Sequence, residues 1–468
     1  MERARQTTKV RCAKPRIVIA GSGGDSGKTL VSMGLVASWR RRPYNVAVFK
    51  KGPDYIDAAW LKFAAGRPAR NLDTYMLGTD VVQQLFAQHS LPDGINLIEG
   101  NRGLFDGVDN RGTHSTAELA KLLDAPVILI LDVTKVTRTA AAIVLGCQHL
   151  DPDVKLAGVI LNWVAGKRHE RVVREAIESI TGIPVVGAIP KLSGEQFLPD
   201  RHLGLITPEE HPELLGINDS LATLIETYLD LGQIEEIAFG ASDFRSAGEP
   251  PRRSSKPKTR ARIAYFCDSA FTFYYQDNLE ALEAAGAKLL PVSSLSAMEL
   301  PGCDGLYIGG GFPETHASLL SQNRSLLQSV YKQAQEGLPI YAECGGLIYL
   351  CRAISYQGNK HSLAGVFPVD LIMQSKPQGH GYMEVTVDKN NPYFPLKTKL
   401  IGHEFHYSKV DDVDGEIETV FNVDRGTGSI QHRDGLRYLN VLASYLHLHA
   451  AGVPEWAENF VKLASDQQ

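Results

Sequence analysis

Three groups of residues in this chain are of types, and at spacings, that could do chemistry. The first is Gly21-Ser-Gly-Gly-Asp-Ser-Gly27-Lys28-Thr29. Glycines that let backbone N–H groups converge on an anion at a helix N-terminus make a phosphate cradle. In such a cradle Lys28 neutralises the β- and γ-phosphates and the Thr29 hydroxyl sits on Mg²⁺. Gly21, Gly27, Lys28 and Thr29 are therefore the candidate ATP-binding residues. Counted strictly as GxxxxGK[ST], the first position holds Ser22 and Gly21 lies one residue earlier, so the loop is a longer variant. A ligand-free glycine-rich turn is the plain alternative, and a strand, GKT and a helix in that order argue against it.

The second group is acidic. Lys50-Lys-Gly-Pro-Asp54-Tyr-Ile-Asp57 and Glu99-Gly-Asn-Arg-Gly-Leu-Phe-Asp106-Gly107 each follow a short apolar run. Open α/β sheets bind their ligands beyond the carboxyl ends of the strands. Asp54, Asp57, Glu99 and Asp106 thus stand where a further Mg²⁺ ligand or a catalytic acid is needed. Any one of them alone could simply make a turn. Three polar motifs at three strand ends favour a site.

The third group is a cysteine on an elbow. The run LPIYA enters Glu343-Cys344-Gly345-Gly346-Leu347, followed by IYLCRA, which reads as helical. A strand–nucleophile–helix turn holds the side chain exposed and strained. A helix N-terminus lowers a thiol pKa and offers backbone N–H groups to a developing oxyanion. Gly345 supplies one such donor, and Gly310 and Gly311 of Gly309-Gly-Gly-Phe-Pro-Glu314 supply a second. The base comes from far along the chain: Ala443-Ser-Tyr-Leu446 ends in His447, with His449 as its competitor. The remaining cysteines, Cys12, Cys147, Cys267, Cys303 and Cys351, are assigned to core or to no role. His403 and His406 read as structural, since HEFH is not the HExxH of a zinc protease.

These groups need elements to position them. In the first half Arg16–Ala20, Val46–Phe49, Ile95–Ile98, Val127–Leu131, Leu156–Leu161 and Val185–Ile189 are near-continuous apolar runs, as in parallel strands buried on both faces. Helical patterns over Lys28–Arg41, Thr116–Leu123, Thr139–Gln148 and Glu170–Ile180 lie between them. This rhythm predicts a doubly wound α/β domain over 15–240, after a disordered tail at 1–14. Residues 241–260, rich in Pro, Ser and charge, read as a linker whose five basic residues from Arg252 to Arg260 are solvated. A second α/β domain over 261–468 has strands at Arg262–Phe266, Lys288–Pro291, Gly305–Ile308 and Leu338–Ala342, and a helix near Asn278–Ala285. Tyr382–Val387, Ile401–Tyr407 and Tyr438–Leu446 are further strand candidates.

Composition narrows the function classes. The 468 residues carry 48 Lys and Arg against 53 Asp and Glu, a net charge of −5, which argues against a general nucleic-acid coat and leaves room only for a local basic patch. No apolar run reaches the ~18 residues of a membrane span, and the basic N-terminus lacks the apolar stretch of a secretory signal. Six cysteines without a CxxC pair fit a reduced, cytoplasmic setting.

Taken together the motifs resemble those of the cobyrinate a,c-diamide synthase family, glutamine-dependent amidotransferases of cobalamin biosynthesis. The Ni-sirohydrochlorin a,c-diamide synthases of coenzyme F430 assembly are very similar. The resemblance runs from about Pro15 through the GKT loop, KxGPDYID (50–57), EGxxGLxDG (99–107), GGGFPE (309–314), ECGGL (343–347), GHEFHYS (402–408) and ASYLHLH (443–449). It implies a dethiobiotin-synthetase-like P-loop ATP domain followed by a triad-type, flavodoxin-like glutamine amidotransferase domain. It also implies Cys344 as nucleophile and His447 as its activating histidine, with Thr29, Glu99 and Asp54 on the magnesium side. Asp54, Asp57 and Asp106 would act in catalysis or in ordering two amidations. ATP, L-glutamine and cobyrinate or a related tetrapyrrole are the implied partners, with no nucleic acid or membrane, and a homodimer is left open.

Asp25 and Ala58 depart from the family pattern, where Gly and Pro are common, and the carboxylate of Asp25 must point away from a nucleotide. Leu448-His449 follow the histidine where neighbouring glutaminase families have Pro-Glu, so a third triad member is missing or comes from elsewhere. The implied reaction is an acyl phosphate made from ATP and captured by ammonia, which must travel unprotonated along a shielded path. The rival readings are the same diamidation on Ni-sirohydrochlorin, an ATP-dependent partitioning or metal-insertion switch, and a decayed amidotransferase that only binds partners. A switch has no use for an elbow cysteine and a remote histidine.

Overall fold

The apolar runs of the first half become strands because both of their faces are covered, and the polar residues at their ends are forced to one edge. The computed structural model describes residues 14–192, 200–201, 204–205, 207–208, 214, 216–244 and 258–466. Of the tail expected at 1–14, residues 1–13 lie outside the described residues, as do 245–257 of the expected linker. The chain divides into two compact units, Met1–Pro251 and Arg252–Gln468.

The first unit holds a parallel sheet of β1 (Arg16–Gly21), β2 (Val46–Lys51), β3 (Arg70–Leu72), β4 (Ile95–Gly103), β5 (Val127–Asp132), β6 (Leu156–Val164) and β7 (Val185–Pro190). Their order is β3-β2-β4-β1-β5-β6-β7. β1 therefore lies at the sheet's centre, where successive connections diverge to either side, the usual place for a ligand crevice. All six residues of β1 and of β2 are buried. On one face Ile17, Ile19, Val48, Leu97 and Ile130 pack against Val31, Leu35 and Trp39 of α1 (Lys28–Arg40) and Trp60 and Leu61 of α2 (Ile56–Ala65). A short antiparallel pair, β8 (Asp200–Arg201) with β9 (Gly204–Leu205), follows.

The sequence reading ends its third strand at Ile98, with the Glu99 motif in a loop beyond it; the structure makes this strand β4, because Arg70–Leu72 adds one before it. Instead β4 continues to Gly103 with an irregularity between Glu99 and Gly103, where Arg102 takes φ 51°. The bulge keeps Glu99 and Gly103 paired to β1 while the residues between them loop out.

The second unit has a nine-stranded mixed sheet. Its parallel half is β10 (Ala261–Phe266), β11 (Ala287–Val292), β12 (Gly305–Ile308), β13 (Ile340–Glu343) and, last in the chain, β22 (Val441–Ser444). A four-stranded sheet is made by β14 (Cys351–Tyr356), β15 (Asn359–Ser362), β16 (Phe367–Met373) and β19 (Ser408–Val413). The large sheet is extended by β17 (Gly379–Val387), β18 (Lys399–His406), β20 (Glu418–Arg425) and β21 (Arg433–Tyr438), in the order β11-β10-β12-β13-β22-β21-β20-β17-β18.

Two segments fold differently from their sequence pattern. Tyr438–Leu446 is not one strand: β21 ends at Tyr438, Leu439 takes φ 50°, and β22 returns antiparallel from Val441. IYLCRA is only half helical, since the helix Gly345–Leu350 stops and β14 starts at Cys351. Sustained apolarity marks burial in both cases and is blind to the change of element. The register of β13 on β22 sets Glu343 beside Ser444, so both strands deliver their following residues to one edge.

Candidate active site

In the first unit the loop after β1 is tied to both neighbouring strands. Ser22 N–H donates to the Ile130 carbonyl at 2.9 Å, and Leu104 N–H donates to that of Gly21 at 2.8 Å. Gly27 has φ 95°, and a Cβ there would strike the Asn162 amide, so only glycine suits the position. Asn162 Nδ2 donates to the Ser26 carbonyl at 2.9 Å and pins the turn from the end of β6. Lys28 Nζ folds over the loop, donating to the Gly23 carbonyl at 3.0 Å. Burial, and after it the nearby Lys50 ammonium, holds its pKa below the ordinary lysine range. Asp25 is exposed, at φ 51°.

Beside the loop Thr29, Asp57 and Glu99 come together around a lysine that the sequence reading left without a role. Thr29 Oγ1 donates to Glu99 Oε1 at 3.0 Å. Lys50 Nζ donates to Glu99 Oε1 at 2.8 Å, to Asp57 Oδ2 at 2.6 Å and to the Gly100 carbonyl at 3.0 Å. Burial alone would lower the Lys50 pKa, but Asp57 and Glu99 outweigh it and hold the ammonium charged. Burial pushes the Glu99 carboxyl up, and Lys50 opposes it. Asp54 Oδ1 accepts the Asp57 N–H at 2.8 Å, and burial, then the Asp57 charge, pushes the Asp54 carboxyl up to about 7. Asp106 shares no hydrogen bond with this group. It is exposed and accepts the Gly103 N–H at 2.9 Å, closing the turn after β4.

Among the described residues no three His, Cys, Asp or Glu side chains converge as a metal cage. Glu99 Oε2 is nevertheless buried without a hydrogen-bond partner, next to the Thr29 hydroxyl. Two hard oxygen donors suit Mg²⁺, whose other ligands are commonly phosphate oxygens and water.

In the second unit Cys344 sits between β13 and the helix Gly345–Leu350 at φ 47° and ψ −97°. Such a backbone costs on the order of 1–3 kcal/mol. It is held by the Cys344 N–H donating to the Ser444 carbonyl at 2.7 Å and by the Ile348 N–H returning to the Cys344 carbonyl at 3.0 Å. The strain expected of an elbow is present, but the exposed, acidified thiol is not. Cys344 is 5% exposed, and its Sγ lies 3.6 Å from the Phe405 carbonyl of β18. Burial, then the Glu314 carboxylate, pushes the thiol up, while the Gly345 N–H pulls the other way. The helix has six residues, all buried, and its terminal amides are outweighed by loss of water around sulfur.

His447 is held by paired backbone hydrogen bonds to His403 of β18, at 2.8 and 3.2 Å. A Cβ on Gly310 would fall 2.5 Å from His447 Cε1, so the imidazole lies directly over that glycine. A Cβ on Gly345 would fall 3.0 Å from the Gly311 nitrogen. The imidazole, the Gly310-Gly311 backbone and the residue following Cys344 therefore meet at one place. His449 is engaged elsewhere: its ring packs tilted against Tyr275 with centroids 4.8 Å apart, and Nε2 lies 3.6 Å from Asp277 Oδ2. A thiol, an imidazole and two flanking backbone amides are the parts needed for acyl transfer through a thioester.

Sequence reasoning missed Lys50, Asn162 and the Phe405 carbonyl. Lys50 stands at a strand end just after an apolar run and Asn162 near a strand end inside one, which is a weak signal. A backbone carbonyl leaves none.

Comparison with known proteins gives matches over both units. The family described as CobQ/CobB/MinD/ParA nucleotide binding domain matches residues 17–205, and the CobB/CobQ-like glutamine amidotransferase domain matches residues 262–454. A cobyrinate a,c-diamide synthase of Magnetococcus marinus is 42% identical over 447 residues, covering 95% of this chain and 96% of its own. One from Dehalococcoides mccartyi is 42% identical, covering 96% and 98%, and one from Archaeoglobus fulgidus 39%, covering 96% and 97%.

Proposed function

The chain belongs to the cobyrinate a,c-diamide synthase family, and from that premise we propose that it moves the amide nitrogen of glutamine onto the a- and c-side-chain carboxylates of cobyrinate, with ATP as activating co-substrate. The observation that carries the reading is the meeting of His447, Gly310, Gly311 and the Cys344–Gly345 elbow at one point. In this reading 15–240 is the ATP-dependent ligase part and 261–468 the glutaminase part. The cytoplasmic setting expected from the cysteines belongs to the same proposal.

In the glutaminase part the resting thiol is neutral and lies against the Phe405 carbonyl. On attack at the glutamine amide carbon its proton passes to the imidazole of His447, and sulfur forms the new bond. The oxyanion is met by the Gly345 and Gly311 N–H groups. His447 then returns the proton to the departing nitrogen, leaving a glutamyl thioester and ammonia, and water hydrolyses the thioester to glutamate.

In the ligase part Gly21, Gly27 and Lys28 hold the phosphates of ATP. A carboxylate cannot expel oxide, so the tetrapyrrole acid first takes the γ-phosphoryl group, and ammonia then displaces phosphate. Thr29 and Glu99 would hold Mg²⁺, which supplies charge neutralisation at the phosphates. Lys50 holds the Glu99 and Asp57 side chains in place beside the loop through its two ion pairs. Asp54, with its carboxyl near 7, is suited to giving or taking a proton as ammonia adds.

The test is a side-by-side assay with ATP, Mg²⁺ and glutamine on cobyrinate, hydrogenobyrinate and Ni-sirohydrochlorin, followed by mass spectrometry. Two successive amidations of cobyrinate, with one glutamate and one ADP each, are expected. Glutamate without amide product on cobyrinate would overturn the reading.

A further inference from the structure

The chain lacks the acid that neighbouring glutaminases place two residues after the histidine, yet His447 does not face an empty wall. Glu343, the residue directly before the nucleophile, points its carboxylate at the same imidazole. Its Oε2 lies 3.6 Å from His447 Nδ1, and both side chains are almost wholly buried. We infer that Glu343 is the positioning carboxylate for His447, so that one strand end supplies both the nucleophile and the group that orients its base.

Glu343 is itself immobilised. Its Oε2 accepts the Tyr307 hydroxyl at 3.2 Å, and its Oε1 accepts the Leu448 N–H at 3.2 Å. Asn278 Nδ2 donates to the Leu448 carbonyl at 2.8 Å, and Asn278 Oδ1 accepts the Ala450 N–H at 2.7 Å, which fixes the segment carrying the histidine. Other acids are otherwise engaged. Asp434 Oδ2 accepts the Ser444 hydroxyl at 2.7 Å and the Tyr445 N–H at 3.0 Å, and Asp277 faces His449. A carboxylate at Nδ1 selects the tautomer that leaves Nε2 free to take the thiol proton, and it steadies the imidazolium that results. At 3.6 Å the contact is longer than a hydrogen bond, as resting catalytic contacts often are before substrate tightens them. Glu343 and Cys344 are consecutive, Glu343 ending β13 and Cys344 opening the turn that follows, so one strand end presents both groups.

The inference rests on the glutaminase reading above, and the experiment separates the two. Glu343→Gln keeps the shape and can still pair with Tyr307 and Leu448. Its kcat for glutamine hydrolysis is expected to fall by about 10²- to 10⁴-fold with little change in KM. The acid limb of its kcat/KM profile should move to lower pH, because the imidazolium has lost its counter-charge. In the unaltered protein, ¹⁵N NMR of labelled histidine should find the proton of neutral His447 on Nδ1. Near-parental hydrolysis with an unmoved limb in E343Q, or a proton on Nε2 in the parent, overturns the role of Glu343 while leaving the glutaminase reading intact. No glutamine hydrolysis by the parent removes both.

Discussion

Lys50 and Glu99 lie 2.8 Å apart, and neither side chain has any exposure to solvent. With Asp57 at 2.6 Å on the other side, the ammonium balances two carboxylates next to the phosphate loop. Removing one partner of a buried pair strands the others. Lys50→Met is therefore expected to destabilise the first unit by about 3–5 kcal/mol. The double variant K50M/E99Q should recover part of that loss, since one stranded charge goes with the lysine. Thermal melts of the three proteins check this, and equal melting of K50M and the parent would contradict it.

The division of labour between the units is tested at sulfur. Cys344→Ala should lower glutamine-dependent amidation by about 10³-fold or more, as loss of a nucleophile does. High ammonium at alkaline pH should still drive amidation of the tetrapyrrole. Loss of both activities in a folded variant would break the assignment.

Gly310 tests the seating of the base. Gly310→Ala puts a methyl group 2.5 Å from His447 Cε1, too close for either to stay. Displacing the imidazole by about 1 Å should cost roughly 10²-fold in glutamine hydrolysis. ADP formation with ammonia as nitrogen donor should persist. Unchanged glutamine turnover would mean that His447 works from another position.

The state of the thiol has its own signature. Burial and Glu314 hold Cys344 protonated, so the thiolate fraction at neutral pH is small and grows as pH rises. Its alkylation by iodoacetamide without glutamine should climb about tenfold per pH unit through pH 9, without a plateau. Peptide mapping separates this from the exposed Cys267. A plateau with a midpoint near or below neutrality would show an acidified thiol instead.

Gly27 reports on the phosphate loop. Gly27→Ala meets the Asn162 amide and needs φ near 95°, so the loop must open. ATP binding by calorimetry should weaken at least ~10-fold. Glutamine hydrolysis, carried by the other unit, should not follow it.

What the chain spelled out unaided was local. Runs such as RIVIA and GLYI were legible as strands because a buried strand needs only apolar neighbours along itself, and the GKT loop and the ECGGL elbow because each is a contiguous piece of backbone chemistry. What the tertiary structure alone decided was which charges and surfaces meet. The pairing of Lys50 with Glu99 joins residues 49 positions apart. The carboxylate facing His447 is Glu343, far upstream, and the turn at Leu439 separates two strands that composition runs together. The thiol is buried in a core drawn from several elements and lies against a carbonyl of β18 that no side-chain pattern announces. Periodicity records which face of an element is covered; loss of water and the approach of a distant charge depend on what covers it, and only the folded chain supplies that.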